Sequence, residues 1–355
     1  MSTSLRLESH LDHTAARTPA LTSSCRAIEA LAIAARQIAR LLASGPLHGD
    51  LGAVIGDSLD GDGQKALDAI THRLIRDALA GAGVLAFASE EQAAAEYLDH
   101  SGDIAVAIDP LDGSSNIDTL APLGTIFSIL PALPARQDGA DAVFLQPGRR
   151  QLAAGFFIYG PRTALVLTLG EGTRIFTLDP VSGAFIDPHG PVSVPAETRE
   201  YAINAANIRH WNESIRAYVG ELTEGGDGPR GRDFNTRWLA SMVGDAFRIL
   251  GRGGIYLYPA DRRPGYERGR LRLLYEANPI AFLMEQAGAA ATDGLQPILD
   301  LAPHDIHQRI PLVFGSAEEV RRVALAMREA PAASSPLFHR RSLFRTDAAA
   351  LGLSA

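Results

Sequence analysis

The chain has 355 residues, 46% apolar and 21% charged, an ordinary globular composition long enough for two domains or one large one. A net charge of −8 excludes general nucleic-acid binding, and no apolar run reaches the roughly 18 residues of a membrane span. Cys25 is the sole cysteine, which excludes an intrachain disulfide and cysteine-built zinc sites; with no signal-peptide core in residues 1–17, the reading is a soluble, cytoplasmic protein.

Residues 1–20 read as a poorly ordered arm. Ile28, Leu31, Ile38 and Leu42 recur near helical spacing and predict an amphipathic helix over 24–44. Residues 45–63, rich in Gly and Asp, read as a mobile loop. A second helix spans 64–80, with Leu67, Ile70, Leu74, Ile75 and Leu79 on its apolar side. Short buried strands at 84–88 and 103–108 run into acidic segments. Further strands are predicted at 124–131, 151–159, 164–169 and 173–178. A loop at 188–195 marks a domain boundary. Beyond it come a strand at 201–204, a helix at 238–250, a turn and strand at 253–259, and a strand at 271–275. Asn278-Pro279 opens a helix, as a cap followed by a first-position proline. The implied division is an arm (1–23), an N-terminal metal and phosphate domain (24–195), a C-terminal sugar-phosphate domain (196–329) and a flexible tail (330–355), basic at His339, Arg340 and Arg341.

The segment Asp109-Pro110-Leu111-Asp112-Gly113-Ser114-Ser115-Asn116 carries the strongest chemical signal. Two carboxylates three residues apart suit a hard cation such as Mg²⁺. The Gly-Ser-Ser segment behind them can aim backbone N–H groups at an anion. Together they are the equipment of metal-assisted phosphate chemistry. Glu90 and Glu91 end a strand, and Glu276 lies between a strand and a helix. Ligands gather beyond strand carboxyl ends in alternating α/β architectures, although any one of these acids alone also fits a solvated loop or a helix cap, and a lone Glu-Glu pair fits that reading better. Taken by themselves, Asp62 reads as a turn residue and Asp68 as a helix N-terminal acid. Arg237 fits either a phosphate contact or the surface, Arg272 an internal ion pair, and Tyr258 either a site edge or half-buried packing. His307 and His339 read as surface residues.

These residues carry a family resemblance. The run from Asp109 to Asn116, continued by Ile117-Asp118, resembles the signature of class 1 fructose-1,6-bisphosphatases, within the Mg²⁺-dependent, lithium-sensitive phosphatases. Gly61-Asp62-Gly63-Gln64-Lys65-Ala66-Leu67-Asp68 resembles the family's catalytic loop and following helix, and Ser89-Glu90-Glu91 its acidic pair. Ser241-Met242-Val243, Gly253-Gly254-Ile255-Tyr256-Leu257-Tyr258-Pro259 and Leu271-Arg272-Leu273-Leu274-Tyr275-Glu276-Ala277-Asn278-Pro279 resemble later blocks in the right order. The resemblance implies a layered α-β-α-β-α sandwich in two sub-domains, assembled as a homotetramer. It implies Mg²⁺, with Mn²⁺ as a possible substitute, held by Glu90, Asp109, Asp112, Glu276 and the Leu111 carbonyl. Glu91 and Asp68 would orient and activate water, and Asp62 would join them from the closing loop. Asp112, Gly113, Ser114 and Ser115 would hold the reacting phosphate. Asn204, Arg237, Tyr258 and Arg270 would bind the distal phosphate and sugar, with Arg237 reaching a neighbouring subunit's site.

The implied reaction is hydrolysis of D-fructose 1,6-bisphosphate to fructose 6-phosphate and phosphate, in gluconeogenesis or the Calvin cycle, with no nucleic-acid or membrane partner. Asn207 and Trp238 stand where the family often has tyrosines, which keeps dual specificity for, or a preference for, sedoheptulose 1,7-bisphosphate as the alternative. A non-catalytic sugar-phosphate sensor is disfavoured by the full set of acids. Asp103, Ile104 and Pro131 replace the cationic and tyrosine AMP contacts of regulated relatives, which implies weak or absent AMP inhibition.

Overall fold

The computed structural model describes residues 4–48, 52–57, 63–133 and 139–329. Seven α-helices lie in this part of the chain: α1 (Leu7–Arg17), α2 (Thr22–Ser44), α3 (Ala66–Leu79), α4 (Glu213–Glu224), α5 (Met242–Arg252), α6 (Asn278–Gln286) and α7 (Ala317–Arg328). A nine-stranded sheet takes most strands of the first half, and a five-stranded sheet lies in the second half.

The layering follows from which faces are apolar. On one face of the large sheet, Ile28, Leu31 and Ile38 of α2 and Leu67 and Ile75 of α3 pack on Val106, Phe127 and Phe157. Spacings of three, seven and eight residues put them on one stripe of each helix. On the other face, Ile126, Phe156 and Val166 meet Val243 and Ile249 of α5 and Ile280 and Leu283 of α6. Phe314 of the smaller sheet joins the same cluster, so α5 and α6 lie between two sheets. The outer face of the smaller sheet, with Ile255, Leu257 and Val313, is covered by Ile215 and Val219 of α4 and Val320 and Val323 of α7. The order is helix, sheet, helix, sheet, helix, as expected.

Two details position the chemistry. The strands Val84–Ser89 and Ile104–Asp112 are buried at every residue and pair in parallel, Ser89 opposite Ile108. Continuous apolar runs are what a strand covered on both faces requires. Their carboxyl ends therefore deliver Glu90 and Asp109 side by side. The register of Ile104–Asp112 against Leu123–Pro131 then slips, Asp109 facing Ile126 but Asp112 facing Gly124. One extra residue is accommodated at a bulge, where Pro110 has no N–H to offer a ladder.

Several expectations are corrected. Residues 5–17 are not a loose arm: Leu5–Arg6 extends the large sheet along Phe185–Asp187, and Leu7 and Leu11 of α1, one turn apart, are both buried. The strand expected over 271–275 is only Leu271–Arg272; Leu273–Ala277 forms a π-turn that runs directly into α6. Asn278 consequently sits inside helix and makes no cap. Trp238 precedes α5, which starts at Met242 under a Ser241 cap. His307 is half-buried against Tyr275, with its Nε2 2.8 Å from the Gln92 carbonyl. Within the expected mobile loop, Val54–Asp57 pairs with Gly63–Lys65; residues 49–51 and 58–62, Asp62 among them, lie outside the described residues. So does the tail from 330, with His339.

Candidate active site

Three buried carboxylates define the centre. Asp109, Asp112 and Glu276 offer oxygens that all lie within 4.8 Å of one another. Asp109 is oriented by the Leu111 N–H, which donates to its Oδ1 at 2.9 Å. Asp112 Oδ2 accepts the Val243 N–H at 3.0 Å. Glu276 enters from the middle helical layer, where its Oε2 accepts the Arg272 N–H. Glu90 joins from the neighbouring strand end, its N–H on the Ile108 carbonyl at 3.1 Å and its Oε1 3.3 Å from Arg272 Nε. Arg272 also donates to the His307 carbonyl at 2.8 Å, the internal pairing that its alternation with apolar neighbours suggested.

This much negative charge in one buried place is electrostatically expensive. Burial, then Glu90, Asp112, Glu276 and Glu91, push the Asp109 carboxyl well above the usual carboxylate range. Burial and Glu90 do the same to Glu276. Burial pushes Asp112 up to about 6, against the opposing pull of the Val243 and Met242 N–H groups. A cation among these oxygens removes the penalty. The donor set is all oxygen and hard, which fits Mg²⁺.

Beside the acids, Gly113 takes φ +79° and starts the 3₁₀ turn Ser114–Thr119. A left-handed backbone there favours glycine. Ser114 is half-buried and Ser115 exposed, and the opening N–H groups of such a turn have no partner within it. The turn is held from both sides: Lys65 Nζ donates to the Ser114 carbonyl at 3.0 Å, and Asn116 Nδ2 to the Ala240 carbonyl at 2.9 Å.

Asp68, in the first turn of α3, is buried. Its Oδ2 accepts the Lys65 N–H at 3.0 Å, while Oδ1 is buried with no partner among the described residues. Burial pushes it up to about 6, and Glu91 adds to the rise. The structure therefore brings Asp68, Glu90, Glu91, Asp109, Asp112 and Glu276 into one electrostatic neighbourhood. Ser89 Oγ lies 2.9 Å from His72 Nδ1 and accepts the Glu91 N–H at 3.3 Å, which anchors the acidic pair.

The expected distal contacts divide. Asn204 follows the strand Glu200–Ala202, Tyr258 ends Ile255–Tyr258, and these strands are parallel neighbours. Both residues leave the smaller sheet at the same end. Asn204 Oδ1 accepts the Ala206 N–H. Tyr258 feels Arg270, Tyr266 and Arg263. Arg270 donates to the Tyr266 hydroxyl at 2.8 Å and lies 4.8 Å from its ring centroid. Tyr266 was missed in the sequence, because a tyrosine in a Gly- and Arg-rich loop carries no pattern. Trp238 stacks on Tyr256 at 5.6 Å, which ties one family departure to the sheet core. Arg237 stands apart on the sheet edge, 47% exposed, with Glu200 3.8 Å away.

The comparisons agree along nearly the whole chain. Residues 8–190 match the family model described as fructose-1-6-bisphosphatase, N-terminal domain, and residues 194–328 the C-terminal domain. The class 1 fructose-1,6-bisphosphatase of Acidiphilium cryptum is 73% identical over 98% of each chain. That of Azorhizobium caulinodans is 52% identical over 90% of this chain and 98% of its own. The crystal structure of Leishmania major fructose-1,6-bisphosphatase in holo form superposes with a TM-score of 0.84 at 32% identity, covering 92% of this chain and 99% of that one.

Proposed function

The chain belongs to the fructose-1,6-bisphosphatase family, and from that premise we propose that it hydrolyses D-fructose 1,6-bisphosphate to fructose 6-phosphate and phosphate. The observation that carries this reading is the buried trio Asp109, Asp112 and Glu276 beside the turn opened by Gly113. Glu90, Asp109, Asp112, Glu276 and the Leu111 carbonyl would hold Mg²⁺, or Mn²⁺ in its place. Bound there, the metal supplies charge neutralisation at the phosphoryl oxygens and a more acidic water.

The protein's own groups do the rest. The N–H groups of Gly113, Ser114 and Ser115 hold the reacting phosphate, with Asp112 fixed next to them. Asp68 and Glu91 orient the attacking water. The Oδ1 of Asp68, without a partner among the described residues, would accept its proton. Water oxygen bonds to phosphorus as the bond to the sugar C1 oxygen breaks; one water proton passes to Asp68, the other stays on the released phosphate, and the C1 oxygen leaves as an alkoxide that takes its proton from solvent water. The reaction needs positioning and charge stabilisation more than covalent help. Asp62 would complete the set from the loop before α3.

Asn204, Tyr258 and Arg270 would bind the sugar and distal phosphate, and half-exposed Arg237 would reach a neighbouring subunit of a homotetramer. We place the enzyme in the cytoplasm, in gluconeogenesis or the Calvin cycle. AMP inhibition should be weak or absent: Ile104 and Pro131 are register partners on adjacent strands, and neither they nor Asp103 can make a cationic phosphate contact. Phosphate release from fructose and sedoheptulose bisphosphates, with and without Mg²⁺ and AMP, tests the reading. Fructose bisphosphate turnover that persists in Asp109→Ala would refute the site. Preference for the seven-carbon sugar would move the substrate assignment.

A further inference from the structure

The acid cluster is contacted by the backbone of α5, and that helix has an unusual approach. Ala240, two residues before Met242, takes φ +55°, a left-handed conformation disfavoured for a residue with a Cβ. The chain then turns through Ser241, whose Oγ accepts the Gly244 N–H at 3.3 Å. Val243 N–H follows directly onto Asp112. Behind this turn lies Asp245, fully buried. Its Oδ2 accepts the Leu239 N–H at 3.1 Å, and its Oδ1 accepts Arg248 Nη2 at 3.0 Å. Arg248 also donates to Glu200 at 2.8 Å, and Glu200 is 3.2 Å from Arg252.

A buried carboxylate here has a cost. It adds a like charge near Asp112, and burying a charge is unfavourable unless it is paired and bonded. Arg248 supplies the pairing. The Leu239 N–H bond is what ties the carboxylate to the strained turn. We propose that Asp245 is a positioning residue for Asp112. It clamps residues 239–241, and the clamp sets the angle at which the first N–H groups of α5 meet the Asp112 carboxylate. Without it the left-handed turn at Ala240 relaxes, the N–H groups swing off, and Asp112 loses its fixed rotamer. Metal affinity falls, while the other ligands stay in place. The inference rests on the reading that Asp112 holds Mg²⁺.

The test is Mg²⁺-induced thermal stabilisation of the full-length protein, alongside kcat at saturating Mg²⁺. Asp245→Ala should move the Mg²⁺ midpoint about tenfold higher, a change worth about 1.4 kcal/mol, with kcat at saturation within about threefold. Asp245→Asn keeps an oxygen for the Leu239 N–H but loses the ion pair, and should move it about threefold. Arg252→Gln, on the exposed side of Glu200, should leave it unchanged. A wild-type midpoint in both Asp245 variants would overturn the proposal, whatever their melting temperatures. If Asp245→Ala does not fold, an unshifted Asp245→Asn decides against it alone. An unshifted midpoint in Asp112→Asn would instead refute the ligand role of Asp112.

Discussion

Gly124 faces Val243 so closely that a Cβ on the glycine would lie 2.6 Å from both valine γ-carbons and 2.8 Å from the Phe157 carbonyl. Asp112 is the register partner of Gly124 and receives the Val243 N–H. A bare backbone on one strand thus lets a helix come near enough to serve a carboxylate on the next.

Gly124→Ala should therefore act on both stability and metal binding. Neither neighbour is a flexible side-chain end, so α5 must shift. Overpacking of this kind costs about 1–3 kcal/mol. The melting temperature should fall in EDTA, and the Mg²⁺ midpoint should rise as Val243 draws away from Asp112. A variant that melts lower but binds Mg²⁺ normally would show that the helix and the carboxylate move together.

The metal-free protein should be destabilised by its own acids as pH rises. Burial holds the Asp112 carboxyl at about 6 in the fold, above its value in the unfolded chain. The folded state therefore binds the proton more tightly. Its stability is greatest below the unfolded value and is lost as pH climbs through the folded one. Asp109 and Glu276 act in the same direction. Asp112→Asn keeps an oxygen for the Val243 N–H but carries no charge. In EDTA at pH 8 it should be more stable than wild type by up to about 3 kcal/mol. The gap should close towards pH 4.5, and saturating Mg²⁺ should reverse the order. Denaturant titrations at the two pH values check this; a gap independent of pH would contradict it.

The legibility of this site in the sequence followed a physical divide. Asp109, Asp112 and Gly113 could be read because cation ligands and a tight turn need those residue types at short spacing. The large sheet could be read because strands covered on both faces are continuously apolar. α7 is not anticipated by periodicity, since Glu319 is buried among its few apolar contacts and is satisfied by Arg230, Arg232 and Tyr218 across the fold. The π-turn at Leu273–Ala277 looks like a strand in an apolar run. Asp68 read as a helix N-terminal acid, which it is; nothing local says that its other oxygen lies buried near Glu91. Asp245 has the same invisibility, because its partners are a backbone N–H before the helix and an arginine inside it.

The Tyr266 hydroxyl should matter through Arg270. It accepts from Arg270 Nη1, and its ring lies under both Arg270 and Arg263. Tyr266→Phe leaves the stacking and removes the acceptor. One lost hydrogen bond to a charged group is worth about 1.5 kcal/mol. If Arg270 meets the distal phosphate, KM for the bisphosphate should rise about tenfold while kcat stays within about twofold. An equal fall in kcat would place Tyr266 at the chemistry rather than at recognition.

Asp68→Asn should separate proton transfer from metal binding. Asp68 is not among the three clustered carboxylates, and its Oδ2 serves the Lys65 N–H, a bond that asparagine's oxygen can keep. The fold and the Mg²⁺ midpoint should therefore survive. What disappears is the buried Oδ1 that can take a proton. Loss of a general base costs about 10²–10⁴ in rate, and kcat should fall within that range. The wild-type pH profile adds a sign. As a general base Asp68 would act in its ionised form, and burial places its carboxyl at about 6. Activity should hold above that value and decline below it, with the limb displaced to lower pH in saturating Mg²⁺ because a nearby cation favours the carboxylate. A limb that does not move with Mg²⁺, together with an Asp68→Asn rate near wild type, would assign the proton to another group.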